Sequence, residues 1–157
     1  MADGAKAIAH RMFGFVADAE ARAHGVPVGE VHFHEVGAVD SIADIIAIAV
    51  AADDLAPDGV VVSDLPCGYG TVRCQHGLIP VPAPATAFIA EAAGLTLSPV
   101  DVEGELVTPT GAAAAAALRT EAALPERFSI KAIGMGAGKR AYDTPGILRA
   151  MIIEPAE

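Results

Sequence analysis

A short segment near residue 35 concentrates side chains that can bind a metal ion or move a proton. Between Val31 and Asp44 the sequence reads V-H-F-H-E-V-G-A-V-D-S-I-A-D. In an extended backbone His32 and His34 project to the same side, because side chains alternate with a period of two. Mixed imidazole and carboxylate ligands suit nickel, manganese, iron or zinc better than calcium or magnesium. The segment therefore predicts a divalent metal site whose candidate ligands are His32, His34, Glu35, Asp40 and Asp44.

The same residues admit other interpretations, which the sequence leaves open. Glu35 or His34 could act as a general base that takes a proton at neutral pH. Asp44 could instead complete a capping box with Ser41 at the start of a helix, and Asp40 could favour the dipole of that helix. A metal site and an ordinary helix start therefore remain alternatives for the two aspartates.

Two further segments carry groups that can hold a phosphate. Thr108 and Thr110 lie at a predicted helix start, where backbone N–H groups and a positive dipole are available, although a simple N-cap explains Thr108 as well. The segment G-M-G-A-G-K-R follows a predicted strand and offers glycine amides beside two cations. Its spacing is not that of a Walker A loop, and a solvated glycine-rich turn is an equal alternative. The candidate phosphate-binding or nucleotide-binding residues are Thr108, Thr110, Gly136, Gly138, Lys139 and Arg140.

The two cysteines give a weaker signal. Six residues separate Cys67 from Cys74 across a predicted turn, and two thiols are favoured over a disulfide in a reducing compartment. Cys74 and His76 form a possible donor pair, but no second Cys-x-x-Cys motif accompanies them, so a zinc ribbon is not predicted. Packing is the favoured role of both cysteines.

Helices and strands alternate along the chain and must position these groups. Helices are predicted over residues 5–24, 41–55 and 85–93, and from Pro109 onward with Thr108 as N-cap. The second of these helices is apolar almost all round and is predicted to be buried. Residues 66–70 are predicted to form a turn. The predicted strands are residues 60–65, 71–76, 95–100, 128–133 and 148–153.

Composition limits the class of protein. The 157 residues are about the size of one domain, and 53% apolar against 4% aromatic residues predicts a core of Ala, Val, Ile and Leu. A net charge of −10 argues against duplex DNA or an anionic membrane as partner. The chain shows no secretion signal and no apolar stretch of membrane-spanning length, so a cytoplasmic protein is expected. The order of elements predicts an α/β fold, a single domain with a mixed sheet flanked by helices.

Four segments together resemble the LarC family of nickel-insertion proteins. In chain order they are V-H-F-H-E-V-G-A-V-D-S-I, H-G-L-I-P-V-P-A-P-A-T, E-G-E-L-V-T-P-T-G-A-A and G-M-G-A-G-K-R, and the resemblance covers about residues 7–150. It implies a lyase-class enzyme that inserts Ni²⁺ into pyridinium-3,5-bisthiocarboxylic acid mononucleotide and so completes the nickel-pincer cofactor of lactate racemase. The resemblance further implies CTP as co-substrate and assistance by Mn²⁺ or Mg²⁺. In this enzyme Glu35 or His34 would remove the ring proton that nickel replaces.

The resemblance also implies an incomplete set of segments. Residues 1–157 correspond to one domain from the middle of the family's N-terminal region, and the family's C-terminal domain is absent. The expected partners are a nucleotide-like small molecule, the remaining LarC segments or domain, and further copies in a homo-oligomer, with no nucleic acid and no membrane. Two alternatives therefore stay open beside the enzyme. The chain could be a nickel-binding or delivery module without turnover, or an inactive assembly fragment that needs the missing segments.

Overall fold

The chain divides into two compact units, each with its own secondary structure. The structure is a computed structural model that describes residues 1–31, 39–74, 76–138, 140–142 and 144–156. The first unit is Met1–Glu121 and the second is Ala122–Glu157. Helices and strands occur together in the described residues, so the predicted α/β class is confirmed.

The α-helices of the described residues all lie in the first unit. They are α1 (Asp3–His24), α2 (Val39–Leu55), α3 (Pro84–Ala93) and α4 (Pro109–Leu118). Each lies within two residues of its predicted start, and the predictions are confirmed at this level. None of the helices in the described part of the chain combines the length and the apolarity that a membrane crossing requires.

Local chemistry sets the helix ends. Gly25 after α1 and Gly94 after α3 both adopt the left-handed conformation, with φ of 67° and 59°, which glycine reaches without steric cost. At the start of α4 the side chain of Thr108 accepts a hydrogen bond from the backbone N–H of Gly111 at 3.2 Å. The predicted N-cap is therefore confirmed, with Pro109 at the first helical position.

Helix α1 lies at the centre of a helical core and contacts α2, α3 and α4. Because alanine is the commonest side chain in this core, the helix backbones can approach closely. The predicted core of small aliphatic side chains is confirmed, with one methionine added. Its buried members are Ala9, Met12, Val16, Ala19, Ile45, Ala49, Ala85, Ile89, Ala112, Ala113 and Ala117.

Helix α2 is less buried than its composition predicts. Ile45 and Ala49 are fully buried against the core, but Ile42, Ile46 and Val50 are 38%, 39% and 45% exposed. The exposed residues are spaced four apart and therefore form one stripe along the helix. The prediction that α2 is buried was wrong, because its apolar side chains extend beyond the face that the other helices cover.

The strands pair in twos rather than in one mixed sheet. Strand β1 pairs with β4 in parallel, while β2 with β3 and β5 with β6 are antiparallel, so the described residues contain three two-stranded sheets. The first four strands belong to the first unit, and β5 with β6 to the second. Their bounds are β1 (Leu65–Tyr69), β2 (Thr71–Cys74), β3 (Gly77–Pro80), β4 (Leu97–Glu103), β5 (Phe128–Ala137) and β6 (Ile147–Pro155).

The segment predicted as a turn at residues 66–70 lies largely in strand β1. It pairs with β4, whereas Val61 in the predicted strand before it makes only an isolated bridge to Glu121. Gly68 is buried in β1, and a Cβ there would overlap the carbonyl oxygen of Gly104 and lie 2.7 Å from that of Val102. The glycine is thus required by a close approach of the chain's own backbone, not by the predicted reversal.

Two other strand predictions need correction. The predicted strand at residues 71–76 ends at Cys74, and the chain returns through β3, which was not predicted. The predicted strand ends at residue 133, before the glycine-rich segment, but β5 continues through Gly134 and Gly136 as far as Ala137. Pairing with β6 explains this extension, because both glycines lie opposite β6 residues in the ladder.

Candidate functional site

The predicted metal site is only partly within the described residues. His32, His34 and Glu35 lie outside them. Asp40 and Asp44 lie in α2, four residues apart, so their exposed side chains share one face of the helix. Two carboxylates therefore project from the beginning of α2 into solvent, next in the chain to the predicted imidazole ligands.

The capping interpretation of this segment is corrected. Helix α2 begins at Val39, so Ser41 lies inside the first turn and cannot serve as the N-cap of a capping box with Asp44. Asp40 is in the first turn, where a carboxylate is favoured by the helix dipole, and its Oδ1 accepts the backbone N–H of Ser41 at 2.9 Å. The capping role is therefore excluded for Asp44, whereas Asp40 keeps its favourable interaction with the helix dipole.

The first predicted phosphate cradle is at the beginning of α4. The hydroxyl of Thr108 is used as the N-cap, and Thr110 is half-buried in the first turn. In the loop before the helix, the carbonyl oxygen of Val107 accepts a hydrogen bond from the Thr86 hydroxyl at 3.4 Å, which ties this loop to α3. The N-terminus of α4 is therefore held firmly. Phosphate binding by Thr108 and Thr110 stays a prediction.

A narrow crevice lies beside this loop, lined among others by Cys67, Thr86 and Val107. Its volume of about 10 Å³ is close to the space that one water molecule needs. A nucleotide bound at the α4 N-terminus would therefore lie on the protein surface rather than in this crevice.

The second predicted cradle is in the second unit. Gly136 is paired with Leu148 in the β5–β6 ladder, and the backbone N–H of Gly138 donates to the carbonyl oxygen of Gly146 at 3.4 Å. Lys139 lies outside the described residues, and Arg140 is exposed. The Gly138 amide thus already has a partner, and the phosphate role of this segment stays a prediction that depends most on its cations.

The possible donor pair Cys74 and His76 on the β2–β3 hairpin has neighbours on α1 that sequence reasoning missed. We call the group of Glu20, His24, Cys74 and His76 the His24–His76 cluster. The Cys74 Sγ lies 3.9 Å from Nδ1 of His76, and the rings of His24 and His76 have centroids 4.9 Å apart. Glu20 Oε2 lies 3.4 Å from Nε2 of His24. The spacing of four residues between Glu20 and His24 on a predicted helix indicates that they can pair. The contact between α1 and the hairpin joins residues some fifty positions apart, and no sequence motif indicates it.

No three His, Cys, Asp or Glu side chains among the residues that the structure describes form a group that could hold a metal ion. The described donors are therefore a pair of exposed carboxylates on α2 and the imidazole–thiol cluster. Imidazole and thiolate are ligand types of transition metals, whereas carboxylates bind magnesium and calcium as well.

The described residues define an α/β protein that carries imidazole, thiol and carboxylate groups, no three of which converge among those residues. The comparison with known families is specific: the family model described as "Nickel insertion protein" matches residues 1–157. The chain belongs to this nickel insertion protein family, and the resemblance to LarC is confirmed.

Curated relatives agree with this assignment. The chain is 53% identical over 154 residues to the "Pyridinium-3,5-bisthiocarboxylic acid mononucleotide nickel insertion protein" of Alkaliphilus metalliredigens, which covers 98% of this chain and 37% of the relative. A protein of the same name from Staphylococcus saprophyticus is 44% identical over 140 residues, covering 89% of this chain and 35% of the relative. The chain therefore spans little more than a third of the length of these relatives. No solved structure matches this chain.

Proposed function

We propose that this chain acts in the insertion of Ni²⁺ into pyridinium-3,5-bisthiocarboxylic acid mononucleotide, in the cytoplasm and in a CTP-dependent reaction. The product would be the nickel-pincer cofactor of lactate racemase, and the enzyme would belong to the lyase class. The observation that carries the proposal is the 53% identity, along 98% of this chain, to a relative named for insertion of nickel into that substrate.

The metal would be bound by the segment before α2 and by the beginning of α2 itself. His32, His34 and Glu35 supply imidazole and carboxylate groups, which hold nickel less firmly than a cage of thiolates and so permit transfer to the substrate's sulfur atoms. Asp40 and Asp44 are exposed at the beginning of α2, which follows this segment in the chain, and would add carboxylate ligands. This arrangement supports a site that binds nickel and then releases it.

The acid–base step would fall to the same segment. A bond between nickel and ring carbon forms only if that carbon loses its proton, so a general base is required beside the metal. Glu35 and His34 are the candidate catalytic residues. The proton leaves the ring carbon for the base, while the carbon's electron pair forms the bond to nickel.

The phosphate groups of the substrate and of CTP would be bound by backbone amides and cations. The N-terminus of α4, with Thr108 and Thr110, provides N–H groups and a favourable dipole. Lys139 and Arg140 provide charge, with Mn²⁺ or Mg²⁺ as the counter-ion of the CTP triphosphate. Gly136 and Gly138, in the same segment, would let the backbone approach the phosphate closely.

A second candidate function is a nickel-binding module that is completed by further polypeptide. The partly exposed apolar stripe of α2, formed by Ile42, Ile46 and Val50, favours it, because a row of apolar side chains is a surface that further polypeptide can cover. The partner could be the remaining family segments or another copy in a homo-oligomer.

Equilibrium dialysis against Ni²⁺ and Mn²⁺, with and without CTP, tests the proposal. Metal uptake that CTP increases supports the enzyme, and uptake that CTP does not change supports the module. No uptake under either condition refutes both and leaves an assembly fragment that needs the missing segments.

Paired variants locate the metal and the nucleotide. His32→Ala with His34→Ala should abolish nickel retention at this site and leave the far-ultraviolet circular dichroism unchanged, whereas His10→Ala, at an exposed position of α1, should retain the metal there. Lys139→Ala with Arg140→Ala should weaken CTP binding, most strongly at low salt because charge attraction is screened by ions. CTP affinity that these changes leave intact would contradict the assignment of the cations.

A further inference from the structure

The end of the β2–β3 hairpin carries two metal-binding groups that the proposed function does not use. Cys74 is the last residue of β2, and His76 lies in the turn that leads into β3. Gly77 follows with φ of 93°, a conformation that suits glycine, and it pairs with Cys74 in the β2–β3 ladder, so both side chains belong to one end of the hairpin. The Sγ of Cys74 and Nδ1 of His76 lie 3.9 Å apart.

This distance fits two donors on one ion. A metal–sulfur bond of about 2.3 Å and a metal–nitrogen bond of about 2.0–2.1 Å allow donor atoms at most about 4.4 Å apart, and a tetrahedral ion separates them by about 3.5 Å. The observed 3.9 Å lies between these values. A small rotation of either side chain therefore brings both atoms to bonding distance.

We propose that Cys74 and His76 form a two-donor site for a thiophilic divalent metal ion, distinct from the proposed histidine and carboxylate site. Binding replaces the thiol proton of Cys74, which is released to solvent, with a metal–sulfur bond. The identification of this ion as Ni²⁺ rests on the proposed function. The site would be a point at which nickel is held before it is inserted.

His24 supports the pair from helix α1. Its ring lies against that of His76, and its Nε2 is 3.4 Å from the Glu20 carboxylate. A carboxylate that accepts one ring N–H fixes the tautomer of a histidine and raises the basicity of the other nitrogen, as at many metal sites. His24 therefore lies beside His76 and would be an additional donor if its ring turns.

The number of donors determines how firmly the ion is held. Since no three donors converge among the described residues, an ion at Cys74 and His76 keeps open positions for water or for another ligand. Such a site exchanges its metal readily. This property suits a site from which a substrate with two thiocarboxylate groups removes the ion.

Absorption spectroscopy tests the site directly, because a thiolate bound to Ni²⁺ or Co²⁺ gives a near-ultraviolet charge-transfer band that imidazole and carboxylate ligands do not give. Titration of the reduced chain with either ion at neutral pH should produce this band, and Mn²⁺ should not. Cys74→Ser should remove the band and lower Ni²⁺ affinity at the site more than about tenfold. His76→Gln should weaken both.

Cys67→Ser is the matched control, since Cys67 is the other half-buried thiol and its Sγ donates a hydrogen bond to the carbonyl oxygen of Gly68. It should keep the band. No band in the unmodified chain, a band that survives Cys74→Ser, or a band lost in Cys67→Ser would each overturn the proposal.

The two proposals fail separately. In the variant His32→Ala with His34→Ala the thiolate band should persist even though retention at the main site is lost, and its disappearance would show that Cys74 is not an independent site. CTP-dependent uptake without a thiolate band would overturn the Cys74–His76 site and leave the proposed function standing. A thiolate band without CTP-dependent uptake would support the Cys74–His76 site and overturn the CTP-dependent function.

Discussion

Replacement of Gly68 by alanine should destabilise the first unit, although the same change elsewhere stabilises it. In β1 the added methyl group would overlap the carbonyl oxygen of Gly104 and approach that of Val102 to 2.7 Å. Both obstacles are backbone atoms, so β1 or the end of β4 must move to relieve the overlap. Overpacking of this kind costs about 1–3 kcal/mol.

Gly14 provides the matched control. It lies in α1, it is exposed, and a Cβ there would meet no atom within 4 Å. Because alanine is about 0.5–1 kcal/mol better than glycine inside a helix, Gly14→Ala should stabilise the chain by that amount. The two variants differ only in position, and their effects should have opposite signs.

Urea unfolding followed by far-ultraviolet circular dichroism measures both effects, because the helices of the described residues all belong to the first unit. With a slope of about 2 kcal/mol per molar urea, a loss of about 2 kcal/mol lowers the midpoint by about 1 M. Gly14→Ala should raise the midpoint by up to about 0.5 M. A midpoint that Gly68→Ala leaves unchanged, while Gly14→Ala behaves as expected, would refute the close approach of β1 to residues 102–104.

Two further predictions concern the helices. Ile45→Ala should cost about 2–5 kcal/mol because Ile45 is fully buried, whereas Ile46→Ala, at a side chain 39% exposed, should cost less than about 1 kcal/mol; equal losses in thermal unfolding would contradict the observed orientation of α2. Thr108→Ala removes the hydrogen bond to Gly111 and should lower stability by about 1 kcal/mol, or about 2–4 °C in Tm, while Thr108→Ser keeps the hydroxyl and should stay near the unmodified value.

The helices were predictable because short-range signals determine them. Gly25 and Gly94 end α1 and α3, and the Thr108–Pro109 pair begins α4, each within a few residues of the feature it explains. The burial of α2 was not predictable in the same way. Its apolar composition shows which side chains avoid water, but which of them the chain itself covers depends on where α1 and α4 lie.

The strands were harder to predict because pairing decides them. Residues 66–70 contain proline and two glycines and look like a turn, yet β4 converts most of them into a strand by pairing with them from thirty residues away. The same holds for the continuation of β5 through its glycines, which needs β6.

The candidate site, too, was predictable only where local motifs indicate it. The His32–Glu35 segment and the Thr108 start were found from local motifs, and the family resemblance that they carry is confirmed. Cys74 and His76 were seen as a pair two residues apart. The approach of His24 was not foreseeable, because it depends on how α1 and the hairpin pack and not on any motif.

The alanine-rich core has a mechanical consequence for the start of α4. An alanine side chain has no rotamers, so an interface built from Ala112, Ala113 and Ala117 cannot settle into alternative packings by side-chain rearrangement. The helix can change position against α1 only by moving as a whole. Natural variation at these three positions should consequently be confined to the smallest residues, and a bulkier one would displace the threonine-bearing end of the helix rather than be absorbed locally.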